Sequence, residues 1–370
     1  MRVVVAPTAF KGTLGPRDAA EAIATGLTRR RPDLETELLP ISDGGDGFLA
    51  SLEGPLRAGR RSAVVRGPVH SPLAAAYGLQ AVVDGGAAVV EAALAVGMAH
   101  LSPTELDPLN ASSGGLGELL AEARQAGARS FLVGLGGSAS TDGGTGMARA
   151  LGYRFLDSSG AELPEGGGPL RRLAHIDPSG FDPAWLMLDV RVACDVDNPL
   201  VGPRGSARVY AAQKGAAPAQ VTVLEEGMLR LAEVVRRDLQ VDVSGLVGAG
   251  AAGGLGAGMM AFLGGRLVPG AAMVLDLVGL EPRLQGSTAL ITGEGRLDGQ
   301  SLFGKAPVAA GRVARQTGVR SVALVGSTGE GWEGARAEAF DEVVVAGTGL
   351  PAGPVDAGNR LAAAAALLDF

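Results

Sequence analysis

The chain has 370 residues, which at roughly 150 residues per domain predicts two domains. Hydrophobic residues make up 46% of the sequence, so a large core can form and a disordered or fibrous chain is excluded. The formal net charge of -7 argues against nucleic-acid binding through overall basicity, so an anionic ligand would need a local cationic site.

The cysteine and hydropathy patterns indicate the compartment. Cys194 is the only cysteine, which excludes an intramolecular disulfide framework and a cysteine zinc cluster. The apolar run of valines at 3–5 ends before Pro7, and it is too short to be the apolar core of a secretory signal peptide. Glu91 interrupts the apolar stretch 87–100, so no membrane span is expected. We therefore expect a cytoplasmic protein that binds neither membranes nor nucleic acid.

The first sixty residues predict alternating strands and helices. A β-branched run at 3–5 predicts a strand, and the apolar spacing over 20–27 predicts a helix with Thr13 as its N-cap. A second unit of the same kind then has a strand at 37–39, a loop at 42–47 and a helix at 48–52.

The middle of the chain has a different pattern. Short runs split by turn residues predict antiparallel hairpin strands at 64–66, 75–79 and 81–83. Two strands followed by long loops then come at 130–133, before the glycine-rich segment 134–146, and at 190–193, before the loop 195–205.

The last part of the chain again predicts alternating strands and helices. Its strands are expected at 289–292, 321–325 and 342–346, with a helix over 307–315. Such alternation at both ends predicts an α/β protein with largely parallel sheet. We expect a discontinuous domain of residues 1–62 and 286–370, into which a mixed α/β domain of residues 63–285 is inserted.

Lysine usage is unusual, because only three of the 32 basic side chains are lysine. Each of Lys11, Lys214 and Lys305 has a glycine neighbour. A compact ammonium in a glycine-flanked turn is one way of presenting a point charge to a phosphate. We therefore expect at least one of the three to have a functional role.

Several loops that follow predicted strands combine glycine with charged or polar side chains. In α/β sheets ligands bind outside the carboxyl ends of strands. The loops lie at 42–47, 136–144, 194–199 and 292–298. Each could be an ordinary turn. Together they offer oxygen ligands and amide donors, and with the three lysines they supply what phosphoryl transfer requires.

Three motif matches are weaker. Residues 299–305 fit G-x-x-x-x-G-K, but Ala306 replaces the Ser/Thr of a P-loop and the segment starts well after its predicted strand. Residues 248–253 fit G-x-G-x-x-G, with Asp276 as a candidate ribose partner, which keeps an NAD-dependent hydroxy-acid dehydrogenase as an alternative. The loop that begins at Asp195 is not an EF-hand, because Pro199 occupies its fifth position.

Seven segments in chain order resemble the glycerate kinases of the bacterial type I family. They are APTAFKGT at 6–13, SDGGDG at 42–47, GLGGSASTDGG at 134–144, ACDVDNPL at 193–200, QKGA at 213–216, GAGAAGGLG at 248–256 and TGEGRLD at 292–298. The resemblance runs from residue 3 to about 346. Thr8, Asp46 and the Ser140–Thr141 pair differ from the family's usual residues, and the shorter Asp46 carboxylate leaves its partner open.

The resemblance implies ATP-dependent phosphorylation of D-glycerate with Mg. It also implies two α/β domains, one of them Rossmann or flavodoxin-like, with the active site in the cleft between them. The expected product is 2-phosphoglycerate, with 3-phosphoglycerate as the alternative. The resemblance leaves the oligomeric state open, and a homo-oligomer is compatible with it.

The residue roles follow as hypotheses. We assign Lys11, Lys214 and Arg296 to the anionic groups of glycerate and ATP, and Asp195 to the catalytic base. Amides around Gly136, Gly137 and Ser138 would bind a phosphate or the glycerate carboxylate. Further substrate-binding candidates are Asp43, Asp142 and Asn198. The candidate magnesium ligands are Asp43, Asp195, Glu294 and Asp298. A two-domain binding protein without chemistry is the alternative from another class.

Overall fold

The computed structural model describes residues 1–302, 304–347 and 349–369. The strands are β1 Arg2–Pro7, β2 Glu35–Leu38, β3 Gly59–Arg66, β4 Pro72–Leu79, β5 Ala87–Glu91, β6 Ser130–Gly134, β7 Arg154–Leu156, β8 His175–Asp177, β9 Asp189–Ala193, β10 Arg266–Val268, β11 Ala289–Leu297, β12 Arg320–Thr328 and β13 Glu342–Val345. The α-helices are α1 Pro16–Arg30, α2 Phe48–Glu53, α3 Ala93–Val96, α4 Gly114–Gln125, α5 Thr145–Ala150, α6 Ser206–Tyr210, α7 Pro218–Asp238, α8 Ala251–Leu263, α9 Gly270–Leu277, α10 Leu280–Leu284, α11 Ala306–Gln316, α12 Trp332–Ala339 and α13 Pro354–Ala365.

The chain divides into two compact units. Unit 1 contains Met1–Arg57 and Pro269–Phe370, and unit 2 contains Ala58–Val268. The sequence placed the inserted segment at residues 63–285. In the part of the chain that the structure describes, no helix is both long and apolar enough to span a bilayer.

Unit 1 is built on a wholly parallel sheet with the strand order β13-β12-β11-β1-β2. Counted along the unit this is the order 2-1-3-4-5 of flavodoxin-like folds, in which the chain changes direction between the first and third strands. Here that switch point lies between β1 and β11. The α/β class with a parallel sheet, predicted from the sequence, is confirmed.

Helix α1 packs against the sheet of unit 1 and against helix α13. Its apolar face, which includes Ile23 and Leu27, is buried. Gly26 lies against α13, and a Cβ at this position would overlap the carbonyl group of Ala362. The predicted cap is wrong: Gly15 is the N-cap residue, and the Thr13 hydroxyl donates to Phe10 O at 2.7 Å. The helix begins with Pro16, whose fixed φ suits a first helical turn.

Unit 2 has a six-stranded mixed sheet with the order β10-β9-β6-β5-β4-β3. Strands β5, β6, β9 and β10 are parallel, whereas β3 and β4 form the predicted antiparallel hairpin. The predicted strand at 81–83 is wrong, because residues 82–84 form a 3-10 turn and β5 is the strand that pairs with β4. Val82 and Val83 are both exposed, so neither valine gains the hydrophobic burial that would stabilise a strand at this position.

Strand β11 is longer than the sequence predicts. The predicted strand stopped at Thr292, and the following residues were expected to form a loop. In the structure β11 continues to Leu297, and pairing with β12 extends from Ala289 to Leu297. Glu294 and Arg296 therefore belong to a strand rather than to a loop.

Candidate active site

Within unit 1, Lys11 lies in the turn that follows β1. The turn is tied to β11, because the Thr8 amide and hydroxyl both donate to Gly293 O, at 2.9 and 3.0 Å. Gly295 allows a close approach, since a Cβ there would be 3.4 Å from the Lys11 amide nitrogen. The Lys11 side chain is exposed. An exposed ammonium is thus presented beside the switch point of the sheet.

The acidic loop after β2 holds Asp43 in a rigid glycine turn. The Asp43 Oδ1 atom accepts from the Gly45 amide at 3.1 Å, and the Ser42 hydroxyl accepts from the Gly44 amide at 3.2 Å. Gly44 has a φ of 96°, which favours glycine. The Asp43 Oδ2 atom has no donor in the part of the chain that the structure describes. Asp46, in contrast, is exposed.

Glu294 forms a buried network with two residues that the sequence did not assign to the site. Its Oε1 accepts from the Ser301 hydroxyl at 2.7 Å and its Oε2 accepts from the Lys305 ammonium at 2.9 Å. Glu294 is only 6% exposed. Burial raises the pKa of its carboxyl group, and the Lys305 ammonium partly opposes that rise. Both oxygens of this predicted magnesium ligand are therefore engaged by the protein.

Arg296 and Asp298 lie at the end of β11. The Arg296 Nε atom is 3.5 Å from Asp298 Oδ2, and the Arg296 side chain is largely exposed. Asp298 Oδ1 accepts from the Gln300 amide at 3.0 Å. The Arg296 guanidinium therefore remains accessible to a ligand, and the Asp298 side chain is 20% exposed.

In unit 2 the glycine-rich loop after β6 presents amide groups. Gly137 is exposed, and the segment is held by bonds from Met98 N to Gly137 O at 2.9 Å and from Ala139 N to Val96 O at 2.8 Å. The amides of Gly136, Gly137 and Ser138 have no acceptor among the described residues. Such unpaired amides suit an anionic group.

Lys214 is buried against the same loop. It is 2% exposed, and its ammonium donates to Ser140 O at 2.5 Å and lies 3.3 Å from the Ser138 hydroxyl. Burial lowers the pKa of Lys214 to about 7, although Asp142 favours the charged form. Lys214, one of the three lysines of the chain, therefore has a pKa that burial brings close to neutral pH.

Helix α8 has a left-handed kink at residues 252–254, next to this lysine. Ala252 has a φ of 54°, which is strained for a residue with a Cβ, and its carbonyl accepts from the Ser138 hydroxyl at 3.0 Å. A Cβ at Gly253 would overlap Ser140 O and lie 2.9 Å from Lys214 Nζ. The hydroxyls of Ser140 and Thr141 are buried there and have no hydrogen-bond partner among the residues that the structure describes. Unpaired hydroxyls and a strained turn are both typical of functional sites.

Asp142, a predicted substrate-binding residue, is fully buried. Its Oδ2 accepts from the Ser113 amide and hydroxyl at 2.8 and 2.7 Å and from the Gly146 amide at 3.1 Å, and its Oδ1 accepts from the Gly144 amide at 3.1 Å. These bonds join the starts of α4 and α5. The arrangement is that of a positioning residue, for which Ser113 is a partner that sequence reasoning missed.

Asp195 and Asn198 follow β9 in unit 2. Asp195 is half-buried, one residue after Cys194, whose thiol pKa is raised chiefly by burial. The Asn198 side chain is engaged at both ends, because its Nδ2 donates to Arg204 O at 2.9 Å and its Oδ1 accepts from Tyr210 at 2.6 Å. Asn198 therefore shapes the loop that carries Asp195.

The two weaker glycine motifs have different structural contexts. Residues 248–253 follow helix α7 and an irregular segment rather than a strand, and Asp276 lies on α9. The strand–turn–helix context of a dinucleotide fingerprint is absent among the residues that the structure describes there. Residues 299–305 do lie between β11 and α11, so the stated distance from a strand was wrong. Phe303 of this motif lies outside the described residues, and Ala306 still lacks the P-loop hydroxyl.

Comparison with known proteins gives a consistent result. Residues 3–368 match the model of the glycerate kinase family. The chain is 42% identical over 332 residues to the glycerate kinase of Halalkalibacterium halodurans, covering 90% of this chain and 87% of that protein. It is 40% identical over 327 residues to the glycerate 2-kinase of Escherichia coli, covering 88% and 85%.

A crystal structure from Salmonella typhimurium, named provisionally as glycerate kinase 2, is also similar. It matches with a TM-score of 0.82 and 36% identity, over 99% of this chain and 96% of that one. The similarity therefore includes both units and extends from the sequence to the fold.

Proposed function

This chain belongs to the glycerate kinase family, and from that premise we propose that it transfers the γ-phosphoryl group of ATP to D-glycerate, giving 2-phosphoglycerate and ADP. The observation that carries the proposal is the arrangement in unit 2, where the buried Lys214 ammonium packs against the loop that presents the unpaired amides. A relative named for the 2-kinase activity, with 40% identity, supports position 2 as the site of transfer.

The cationic residues have separate tasks. Lys214 and the amides of Gly136, Gly137 and Ser138 bind the carboxylate of glycerate, since a buried ammonium strengthens attraction to an anion. Lys11 and Arg296, both exposed at the carboxyl ends of their strands, bind phosphate oxygens. Positioning and charge neutralisation of this kind supply most of the acceleration in phosphoryl transfer.

Asp195 accepts the proton of the reacting hydroxyl group. As that proton leaves, the glycerate oxygen forms a bond to the γ-phosphorus, and the bond from this phosphorus to the β,γ-bridging oxygen breaks in line with it. The ADP oxygen takes up the negative charge. Half-burial of Asp195 after β9 gives it a fixed position while leaving it accessible to a substrate.

The donor set of unit 1 fits a magnesium ion that is held together with the nucleotide. Among the described residues no group of three or more His, Cys, Asp or Glu side chains is arranged as a metal site. Magnesium in kinases needs only one or two carboxylates, with phosphate oxygens and water completing its shell. Asp43 and Asp298 would supply these carboxylates, whereas Glu294 is engaged by Lys305 and Ser301. When bound, the ion neutralises phosphate charge.

Phosphorus NMR tests the proposal directly. Purified protein is incubated with ATP, Mg and D-glycerate, beside a control that lacks glycerate. We expect ADP and a new phosphate ester whose phosphorus signal is a doublet from the single proton at carbon 2. A triplet would instead identify 3-phosphoglycerate, and unchanged ATP with folded protein would contradict the kinase assignment for this substrate.

A further inference from the structure

The cluster of Glu294, Ser301 and Lys305 lies at a functional edge of unit 1. Glu294 is in the carboxyl-terminal half of β11, the strand beside the switch point of the sheet. Lys305 is the N-cap residue of α11, which follows β11 after a short turn. Ligands of parallel α/β sheets bind at this edge and this switch point.

The contacts within the cluster fix the ammonium group of Lys305. Lys305 Nζ donates to Glu294 Oε2 at 2.9 Å and to the Ser301 hydroxyl at 3.1 Å. The Ser301 hydroxyl donates to Glu294 Oε1 and also accepts from the Asp298 amide at 3.2 Å. Ser301 is fully buried. The Ser301 hydroxyl and both Glu294 oxygens are therefore buried and hydrogen-bonded within the network, and the ammonium is its one exposed group.

The ammonium retains one N–H for which the described chain supplies no acceptor. The Lys305 side chain is 31% exposed, against 8% for its partner Glu294. A purely structural ion pair could equally use arginine, which this chain uses for nearly all its other cations. A lysine held by two bonds presents its third N–H in a fixed direction, as a point-charge donor does.

Two further cations lie at the same end of β11. Arg296 is two residues beyond Glu294 and therefore on the same face of the sheet. The Lys11 turn packs on Gly295 of the same strand. Three cationic groups around one strand end outnumber the two carboxylates that contact them, those of Glu294 and Asp298. This excess suits a polyanion.

We propose that Lys305 binds a phosphate oxygen of the nucleotide, and that Glu294 and Ser301 are its positioning residues. This inference rests on the proposed function, which makes a nucleoside triphosphate the donor. It assigns to unit 1 a third phosphate-binding cation besides Lys11 and Arg296. Glu294 then serves the site by holding a cation and not as a ligand of the metal.

The test measures binding of ADP and of adenosine without glycerate, by isothermal titration calorimetry. The decisive variant is Glu294→Gln with Lys305→Met, which removes both charges so that no carboxylate is left buried and unpaired. We expect it to bind ADP about 10- to 100-fold more weakly than the wild type, because one charge-assisted hydrogen bond is lost. Adenosine affinity should change less than twofold.

Two controls separate phosphate binding from structural support. Glu294→Gln alone keeps the ammonium but loosens its position, because an amide has only one acceptor oxygen for Lys305 and Ser301, so this variant should weaken ADP binding by less than the double variant does. Arg315→Met removes one positive charge from the far end of α11 and should leave ADP affinity unchanged. The melting temperature of every variant is recorded, so that a loss of folding is recognised.

The outcomes distinguish this inference from the proposed function. It is overturned if the double variant, folded as the wild type is, binds ADP with wild-type affinity, or if ADP and adenosine weaken equally. It is also overturned if the wild type does not bind ADP. The proposed function fails separately if the wild type binds ADP but forms no ester from D-glycerate and ATP.

Discussion

At the scale of single residues, the chemistry of Lys214 depends on its burial. A lysine in water keeps its proton well above neutral pH, whereas Lys214 loses it near pH 7 because the charged form is poorly solvated. Its neighbours in the site are a carbonyl, a hydroxyl and the more distant Asp142 carboxylate. The charge of the proposed glycerate site is therefore adjustable within the physiological range.

The first prediction is a pH-dependent affinity for glycerate. Below about pH 7 Lys214 is protonated and attracts the glycerate carboxylate, and above it the neutral amine does not. We expect kcat/KM for glycerate to fall as the pH rises from 6 to 8.5. Initial rates at subsaturating glycerate measure this. A profile that is flat over the interval would remove Lys214 from substrate binding.

The second prediction concerns stability. Between the folded pKa of about 7 and the unfolded value of 10.5, the unfolded chain binds more protons at Lys214 than the folded one, so this residue's contribution to stability improves as the pH rises. The cost of burying its charge is fully present below pH 7, on the order of 5 kcal/mol.

Urea unfolding of the wild type and of Lys214→Met checks this. The variant should gain stability relative to the wild type at pH 6, and the gain should shrink by pH 9. A difference between the two proteins that does not change with pH would show that the lysine does not titrate in this range.

The third prediction compares two aspartates, Asp195, which the sequence analysis assigned as the base, and Asp142, which it assigned to substrate binding. Asp195→Asn should lower kcat by at least about 100-fold with little change in melting temperature, because a half-buried base is lost. Asp142→Asn should lower the free energy of unfolding by about 3 kcal/mol, because an amide cannot accept all four bonds that the carboxylate accepts.

Steady-state kinetics and thermal unfolding of both variants provide the measurement, and each serves as the control of the other. If Asp195→Asn costs only a few fold in kcat, another group is the base. If Asp142→Asn unfolds at the wild-type temperature, its four bonds are not a structural support.

At the scale of elements, the largest difference between expectation and structure is the length of β11. The segment from Gly293 contains two glycines and two charged residues, which disfavour a strand when judged locally. Pairing with β12 on one side, over nearly its whole length, outweighs that local preference. The same extension aligns Glu294 and Arg296 on one face of the sheet.

The fourth prediction tests the kink of α8 with a matched pair. Ala252→Gly should stabilise the protein by about 1 kcal/mol, because glycine adopts the left-handed conformation without strain. Gly253→Ala should destabilise it by more than about 2 kcal/mol, since its Cβ would overlap Ser140 O. Chemical denaturation of both variants measures the two changes, and equal effects would contradict this account of the kink.

At the scale of the whole molecule, the two units differ in how the chain builds them. The main core of unit 2 is formed within one continuous segment, from Val65 to Leu263. The core of unit 1 combines residues of both chain ends, because β1 lies between β2 and β11. Unit 1 therefore cannot complete its sheet until the last part of the chain is present.

The fifth prediction follows from this difference. Residues 58–268 expressed alone should fold and unfold cooperatively, because their sheet and core are internal to the segment. Residues 1–57 alone should remain unfolded, since β1 would lack its partner β11. Circular dichroism and thermal melts of the two fragments show whether each one folds. A fragment 58–268 without a cooperative transition would contradict the prediction.

The sequence by itself determined the α/β class, the positions of most strands and of three helices, and most of the loops that carry the candidate site. These are local properties, since β-branched runs, helical spacing and glycine-rich turns act over a few residues. The family resemblance came from the same loops. The chain's rare lysines could also be singled out, although their tasks could not.

Only the tertiary structure decided what each polar side chain does. Asp142 and Asp195 lie in loops of unit 2 that follow strands, but Asp142 is fully buried and accepts two of its four bonds from Ser113, which is 29 residues away, whereas Asp195 is half-buried. Lys305 acquires its partner Glu294 because β11 extends and α11 begins nearby. A polar group's partners, burial and charge depend on residues far away in the chain, and that is why contacts across the fold, rather than local pattern, settle its role.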